Sequence, residues 1–356
     1  MVSCQPINWP PRTASRLLAC GIIFFYAASL ACALEPSELA VIINETDSQS
    51  VAVGRYYRQQ RDIPYENVIY VSFHSDGPNI ERKAFEKLRR TVLSNTVDSV
   101  KAYAITWTEP YKVDCMSLTS ALTLGVNSAN CALGCLPTRQ SPYYQGDTVI
   151  PIKHNSSLDV APISMMLAGM SEKEVFKVID RGKQSDFSHP AGDAFLLEST
   201  DSARNVRAKA YRDEFVSSLG ATQRKAKKAN FITGESSVLM YAVGAKTVPY
   251  LGRNTFLPGA VGDHLTSAGG MLTDSYQMSA LRWLEAGATA SYGAVVEPCN
   301  IVEKFPNPVV LLNEIESGES LITAYWRSVK MPGQGVFIGE PLAKPFATKN
   351  EQASTL

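Results

Sequence analysis

The sequence has no excess of charge of either sign. Lys plus Arg and Asp plus Glu number 34 each, so the net charge is zero. No overall field draws the chain toward nucleic acid or an anionic membrane, and no nucleic-acid partner is expected. Phosphate-cradling glycine motifs are also missing: there is no G-x-x-x-x-G-K-[ST], and no G-x-G-x-x-G follows a strand-like run. Nucleotide binding is therefore unsupported. Cys131 and Cys135 have metal-like spacing, but no second close Cys or His pair completes a tetrahedral set, so zinc is not expected. An internal repeat and a low-complexity linker are absent too. No motif names a cofactor, and the partner is left unknown.

What is present begins at the N-terminus. Arg12 and Arg16 precede an apolar run from Leu17 to Ala33 that ends in Ala31-Cys32-Ala33, after which polarity returns. That is the layout of a secretory signal over residues 1–33, cut after Ala33. The run is short for a spanning helix, which needs about 20 residues. An uncleaved anchor is the alternative and would be the chain's membrane contact. A lipoprotein site at Cys32 is disfavoured because Ser29 stands where leucine is usual. The expected location is periplasmic or extracellular. Cys4, Cys20 and Cys32 leave with the signal, and Cys115, Cys131, Cys135 and Cys299 remain. An even number in an oxidising compartment predicts two disulfides, with three pairings open.

Beyond the signal, strand-like and helical runs alternate. Strands are expected at Leu39–Asn44, Asn67–Phe73, Val100–Trp107, Asp193–Thr200, Ser237–Gly244 and Ala288–Val296, with a last one in GQGVFIGEPLAKPF. Helices are expected in SQSVAVGRYYRQQRDIP, capped by Ser48 or Ser50, and in NIERKAFEKLRRTVLSN. Others are SEKEVFKVIDRG with a Ser171/Glu174 capping box, ARNVRAKAYRDEFVSSLG, SYQMSALRWLEAG, and two within PNPVVLLNEIESGESLITAYWRSV. This rhythm predicts an α/β class: a mostly parallel sheet with helices on both faces. Residues 34–350 are expected to form a single domain and 351–356 a disordered tail. The Ser-, Asn-, Pro- and Gly-rich stretch at about 113–163 breaks the rhythm and predicts a disulfide-pinned insertion. The basic run Arg224–Ala229 is expected to be the solvated face of a helix.

Two groups of residues carry a resemblance. The ending SLITAYWRSVKMPGQGVFIGEPLAKPF is similar to the close of gingipain-like, caspase-fold cysteine peptidases, with its Gly-acid-Pro-Leu and Pro-Phe positions at Gly339, Glu340, Pro341, Leu342, Pro345 and Phe346. The stretches PAGDAFLLESTDSARNVR, PGAVGDHLTSAGG, GATASYGAVVEPCN and MPGQGVFIGEPLAKPF together resemble an uncharacterised family of exported bacterial proteins. The peptidase resemblance implies a caspase-like (Rossmannoid) sheet, a His-Gly at one strand end and a Cys at the next. Here Val243 precedes Gly244 at the first place, and Asp263 and His264 stand at the second. The resemblance thus implies the scaffold without its catalytic pair, and a binding or accessory role.

Several residues remain candidates for chemistry. Cys299 and His264 each follow an apolar run, and a Cys–His pair within reach would give an activated thiolate, with Asp263 or Glu297 orienting the imidazole. That is the cysteine-hydrolase alternative; its opposite is Cys299 as a half-cystine. Ser267 ahead of Gly269 and Gly270 lacks the G-x-S-x-G elbow, and Thr266 or Ser267 is expected to cap a helix. Gly259, Gly262, Gly269 and Gly270 would suit a ligand-binding anion nest together with Ser267 and Glu297. Asp263, His264, Asp274 and Glu297 are acceptable metal ligands by type, but their spacing does not demand one. Arg204 and Arg207 would grip an anion or pair locally with Glu198 or Asp213, below an Asp201 cap.

Overall fold

The structure, a computed structural model, describes residues 33–74, 76–131, 135–146 and 161–349. The expected signal (apart from Ala33) and the tail at 351–356 lie outside these residues. From the N-terminus the chain forms β1 (Leu39–Asn44), α1 (Ser48–Gln60), β2 (Val68–Val71), α2 (Arg82–Ser94) and β3 (Ala102–Ile105). A small hairpin of β4 (Lys112–Val113) and β5 (Met116–Ser117) leads to α3 (Leu118–Leu124). Next come β6 (Ile163–Met166), α4 (Glu172–Ser185), β7 (Asp193–Glu198), α5 (Val206–Ser217), β8 (Gln223–Lys228) and β9 (Val238–Gly244). The chain closes with β10 (Phe256–Leu265), α6 (Leu281–Ala286), β11 (Ala290–Ala294), α7 (Pro308–Glu316), α8 (Leu321–Ser328) and β12 (Gly335–Gly339).

Among the described residues, ten strands form one sheet in the order β2-β1-β3-β6-β12-β11-β10-β9-β7-β8. Every pairing is parallel except β11 with β12. The sheet is therefore two parallel blocks of opposite sense, joined where β12 returns against β11. As a consequence, the carboxyl ends of the two blocks lie on opposite edges of the sheet.

Strand alternation explains why both faces are covered. Leu39, Val41 and Ile43 of β1 pack with Val53 and Tyr57 of α1, while Ala40 and Ile42 pack with Phe85, Leu88 and Val92 of α2. A strand apolar on both sides has to be covered on both sides. The α/β class with a mostly parallel sheet and helices on both faces is what the alternation predicted.

Some local expectations differ from the structure. Arg224–Lys228 is no helix face but edge strand β8. Its charges are matched by neighbouring elements: Arg224 to Glu316 of α7 at 2.6 Å, Lys225 to Asp193 of β7 at 2.8 Å, Lys227 to Glu235 of the following loop at 2.7 Å. Asp47, rather than Ser48 or Ser50, caps α1 by accepting from Gln49 N, and Ser50 turns inward to Thr106. Only half of the Ser171 box forms, because Glu174 accepts from Met170 N instead. The helix expected from Ser275 starts only at Leu281, since Ser275, Gln277 and Ser279 bond the preceding loop. The first third of the supposed insertion is core: α3 is buried and packs against β6 and β12. Of the remainder, 132–134 and 147–160 lie outside the described residues.

Two disulfides form, Cys115–Cys131 and Cys135–Cys299, with sequence separations of 16 and 164. The second ties the 113–163 stretch to the loop after β11.

Candidate functional site

The residues singled out by sequence gather at the carboxyl edge of the second block, and Asp263, His264 and Cys299 among them are already bonded within the protein. Asp263 and His264 do not lie in a loop; both are inside β10 and buried. The Asp263 carboxylate is paired with Arg207 of α5, which also donates to Val243 O at 3.2 Å. Burial pushes the Asp263 carboxyl above its ordinary range, and the Arg207 charge and hydrogen bond pull it back. So Arg207 neither grips a ligand with Arg204 nor pairs with Glu198 or Asp213. Arg204 turns to Asp201 and Thr266, and Arg212 takes Glu198. Asp201 accepts from Arg204 N in a turn ahead of α5 rather than capping the helix itself.

His264 has both ring nitrogens engaged. Trp283 Nε1 donates to Nδ1 at 2.9 Å, and Nε2 lies 3.0 Å from Met278 O. A carbonyl only accepts, so the two bonds fit one neutral tautomer with the proton on Nε2. Burial pushes the imidazole down to about 4, with Arg207 and Arg204 pressing the same way against the Met278 bond.

Cys299 holds no free thiol in this structure, being bound to Cys135. Glu297 is exposed and accepts from Cys299 N at 2.8 Å, closing that turn. Asp274 accepts from the Tyr111 hydroxyl. Asp263, His264, Asp274 and Glu297 thus each serve separate partners.

The glycines serve backbone packing rather than a nest. An added Cβ at Gly270 would sit 2.2 Å from Gly293 O, and Gly270 N donates to Ala294 O at 2.8 Å. Gly262 lies against the Trp283 ring, Gly269 beside Thr266 and His264, and Gly259 at a bulge with φ +86°. Ser267 is half-buried, and turns rather than a helix follow it, while Thr266 donates to Gln277 Oε1 at 2.6 Å. At the end of β9 the turn carrying Arg204 sits so close that a Cβ on Gly244 would lie 1.9 Å from Arg204 O. This edge is closed.

The opposite edge is open. A cleft of about 600 Å³ lies beyond the carboxyl ends of β1, β3 and β6. Because β2 and β3 flank β1 on opposite sides, the strand order reverses here, and such a switch point is where ligands enter α/β sheets. Asn44 ends β1 and braces the strand ends, donating to Phe73 O at 3.0 Å and accepting from Phe73 N at 3.3 Å. Thr108 donates to Gly169 O at 2.8 Å, and Gln49 donates to the same carbonyl at 3.0 Å. His74 and Asp76 stand exposed beside Asp47 and Glu109. Among the described residues its lining holds three carboxylates and neither Lys nor Arg.

Sequence reasoning missed this cleft because no motif marks it. The available signal was positional: the polar run Asn44–Gln49 at the end of a fully buried strand, with β1 placed at a strand-order reversal.

No protein-family model and no curated protein matches the chain. Solved structures of similar shape do exist. One is the complex of Porphyromonas gingivalis RgpB pro- and mature domains, at 10% identity and a TM-score of 0.49, covering 86% of this chain and 80% of that one. Another is the Arg-specific cysteine proteinase gingipain R, at 10% identity and a TM-score of 0.46, covering 87% and 78%. A third, described as a protease, has 11% identity and a TM-score of 0.44, covering 91% and 82%.

Proposed function

We propose that the chain is an exported, non-peptidase binding or accessory protein on a degenerate caspase-like scaffold. Its ligand enters the cleft at the ends of β1, β3 and β6. The observation that carries this reading is the contrast between the edges: around Asp263 and His264 the polar groups are committed, whereas the switch-point cleft is open and polar. The scaffold assignment draws on the Gly339–Phe346 ending and its resemblance to gingipain-like proteins. Export is favoured by the signal-like N-terminus and by two disulfides, which persist in oxidising compartments. Among the described residues no helix is long and apolar enough to cross a membrane.

The test is to alkylate the full chain without reductant, map labelled cysteines by mass, and assay peptide hydrolysis on the same sample. Resistance of Cys115, Cys131, Cys135 and Cys299 to label, with no turnover, is the expected result. Rapid neutral-pH labelling of Cys299 accompanied by hydrolysis would overturn the proposal and restore the Cys299–His264 hydrolase.

A further inference from the structure

The buried Arg61, Arg207 and Arg224 each meet a carboxylate, as does the half-buried Arg327; the half-buried Arg181 differs from these four. Arg61 is matched by Glu340 and Asp186, Arg207 by Asp263, Arg224 by Glu316, and Arg327 by Glu314 and Glu319. A guanidinium taken from water needs such a partner. Arg181 of α4 has no carboxylate partner among the described residues. Its Nη2 donates to two carbonyls, Leu284 O and Ala288 O, each at 2.8 Å, and its Nε is buried with no partner. Burial alone lowers its pKa to about 10, as expected for a cation left without a counter-charge.

Arg181 lines a cavity of about 100 Å³. Ala168, Val178, Leu281 and Leu284 give it apolar walls. Two carboxylates also reach it: Glu174, which accepts from Met170 N, and Glu285, which pairs with Arg282. Lys177 adds a second cation, exposed and in none of the ion pairs described. The cavity adjoins the switch-point cleft, since Gly169 lines both.

We infer that this cavity is a carboxylate-binding site, taking a carboxylate on a short aliphatic stem, with Arg181 as the charge partner. The size admits a two- to four-carbon acid, the walls suit its stem, and Arg181, which lines the cavity, supplies the charge for a charge-assisted bond. The stem and carboxylate belong equally to a free short-chain acid or to a glutamate side chain of a peptide. The site stands whether or not the larger cleft holds a ligand of its own.

Propionate is the matching probe, with propionamide as its uncharged isostere. Propionate, titrated into the full chain at constant ionic strength, is expected to give a saturable Tm rise of about 2 °C with half-saturation on the order of millimolar. Propionamide should give no rise. Arg181→Gln should abolish the response and Arg181→Lys should weaken it at least fivefold, while Lys177→Ala keeps most of it.

Because Arg181 also holds the end of α6, Arg181→Gln risks misfolding. The acid–amide comparison on the unaltered chain, read by saturation-transfer NMR, then decides. Equal signals from acid and amide overturn the proposal, as does an undiminished response in Arg181→Gln or Arg181→Lys. Tighter binding of a doubly blocked glutamate than of propionate identifies a peptide side chain as the source; the reverse order identifies a free acid.

Discussion

The two carboxyl edges of the sheet are equivalent by topology and opposite in condition. At the β9–β10 edge, backbone meets backbone at Gly244, Gly270 and Gly293, and Asp263 and His264 there are buried and bonded. At the β1–β3 edge, Asn44, Thr46, Gln49 and Thr108 brace the strand ends and Thr273 donates to Glu109, while the side chains of His74 and Asp76 face solvent. A strand end in an α/β sheet becomes a site only when its loops leave polar atoms unspent. Here the Asp201–Asn205 turn and the loop after β10 fill one edge, whereas at the other that loop borders the cleft through Thr273 and leaves it open.

The most severe way to break this contrast is at the buried ion pair. Asp263→Asn leaves Arg207 charged and without its partner, so a loss of about 4 kcal/mol is expected in denaturant unfolding. Adding Arg207→Met should recover much of that loss, because the cost lies in the orphaned charge. A loss below 1 kcal/mol would mean that the closed edge is not held by this pair.

Next in size is the disulfide that ties the same edge to the 113–163 stretch. Cys135 and Cys299 are 164 residues apart, and removing a link of that span should cost about 3 to 4 kcal/mol. The comparison is the denaturation midpoint of the Cys135→Ser/Cys299→Ser double variant against the parent. An unchanged midpoint would detach the disulfide from the stability of this edge.

His264 provides a pH test. Its folded-state pKa of about 4 lies below the ordinary 6.5, so the unfolded chain binds the extra proton between those values. Its stabilising contribution is complete above pH 6.5 and is lost as pH falls toward 4, about 3 kcal/mol in all. Asp263 works the other way, its raised pKa favouring the folded state in acid. The measurement is therefore a difference: unfolding free energies of parent and His264→Gln at pH 7.5 and pH 4.5. The parent should lose the larger share on acidification, and parallel losses would remove His264 from the account.

Much of the fold was legible because burial on both faces writes itself into sequence: LAVIIN and VLMYAVG are apolar without alternation and form β1 and β9. The opposed blocks were not legible, because the reversal depends on β12 pairing with β6, from far along the chain. Site residues read by type misled for a related reason. Asp263 and His264 look reactive in a string, but their role is set by Arg207, Trp283 and Met278, brought in from other elements. Arg224 and its neighbours looked helical because charge obscured a strand whose counter-charges lie on β7 and beyond.

The smallest effect expected discriminates best between the edges. Asp76→Asn and His74→Gln alter exposed side chains in the open cleft, and each should shift stability by no more than about 0.5 kcal/mol. Asn44→Ala, at the same edge but buried and bonded to Phe73, should cost about 2 kcal/mol, because it removes the amide that bridges the half-buried Phe73 N and O to the end of β1. Such a gradient within one edge, steep at the brace and flat at the mouth, belongs to a surface whose outer residues are available to a ligand. If instead Asp76→Asn costs as much as Asn44→Ala, the mouth is structural, the two edges are alike, and the cleft no longer stands out as a binding site.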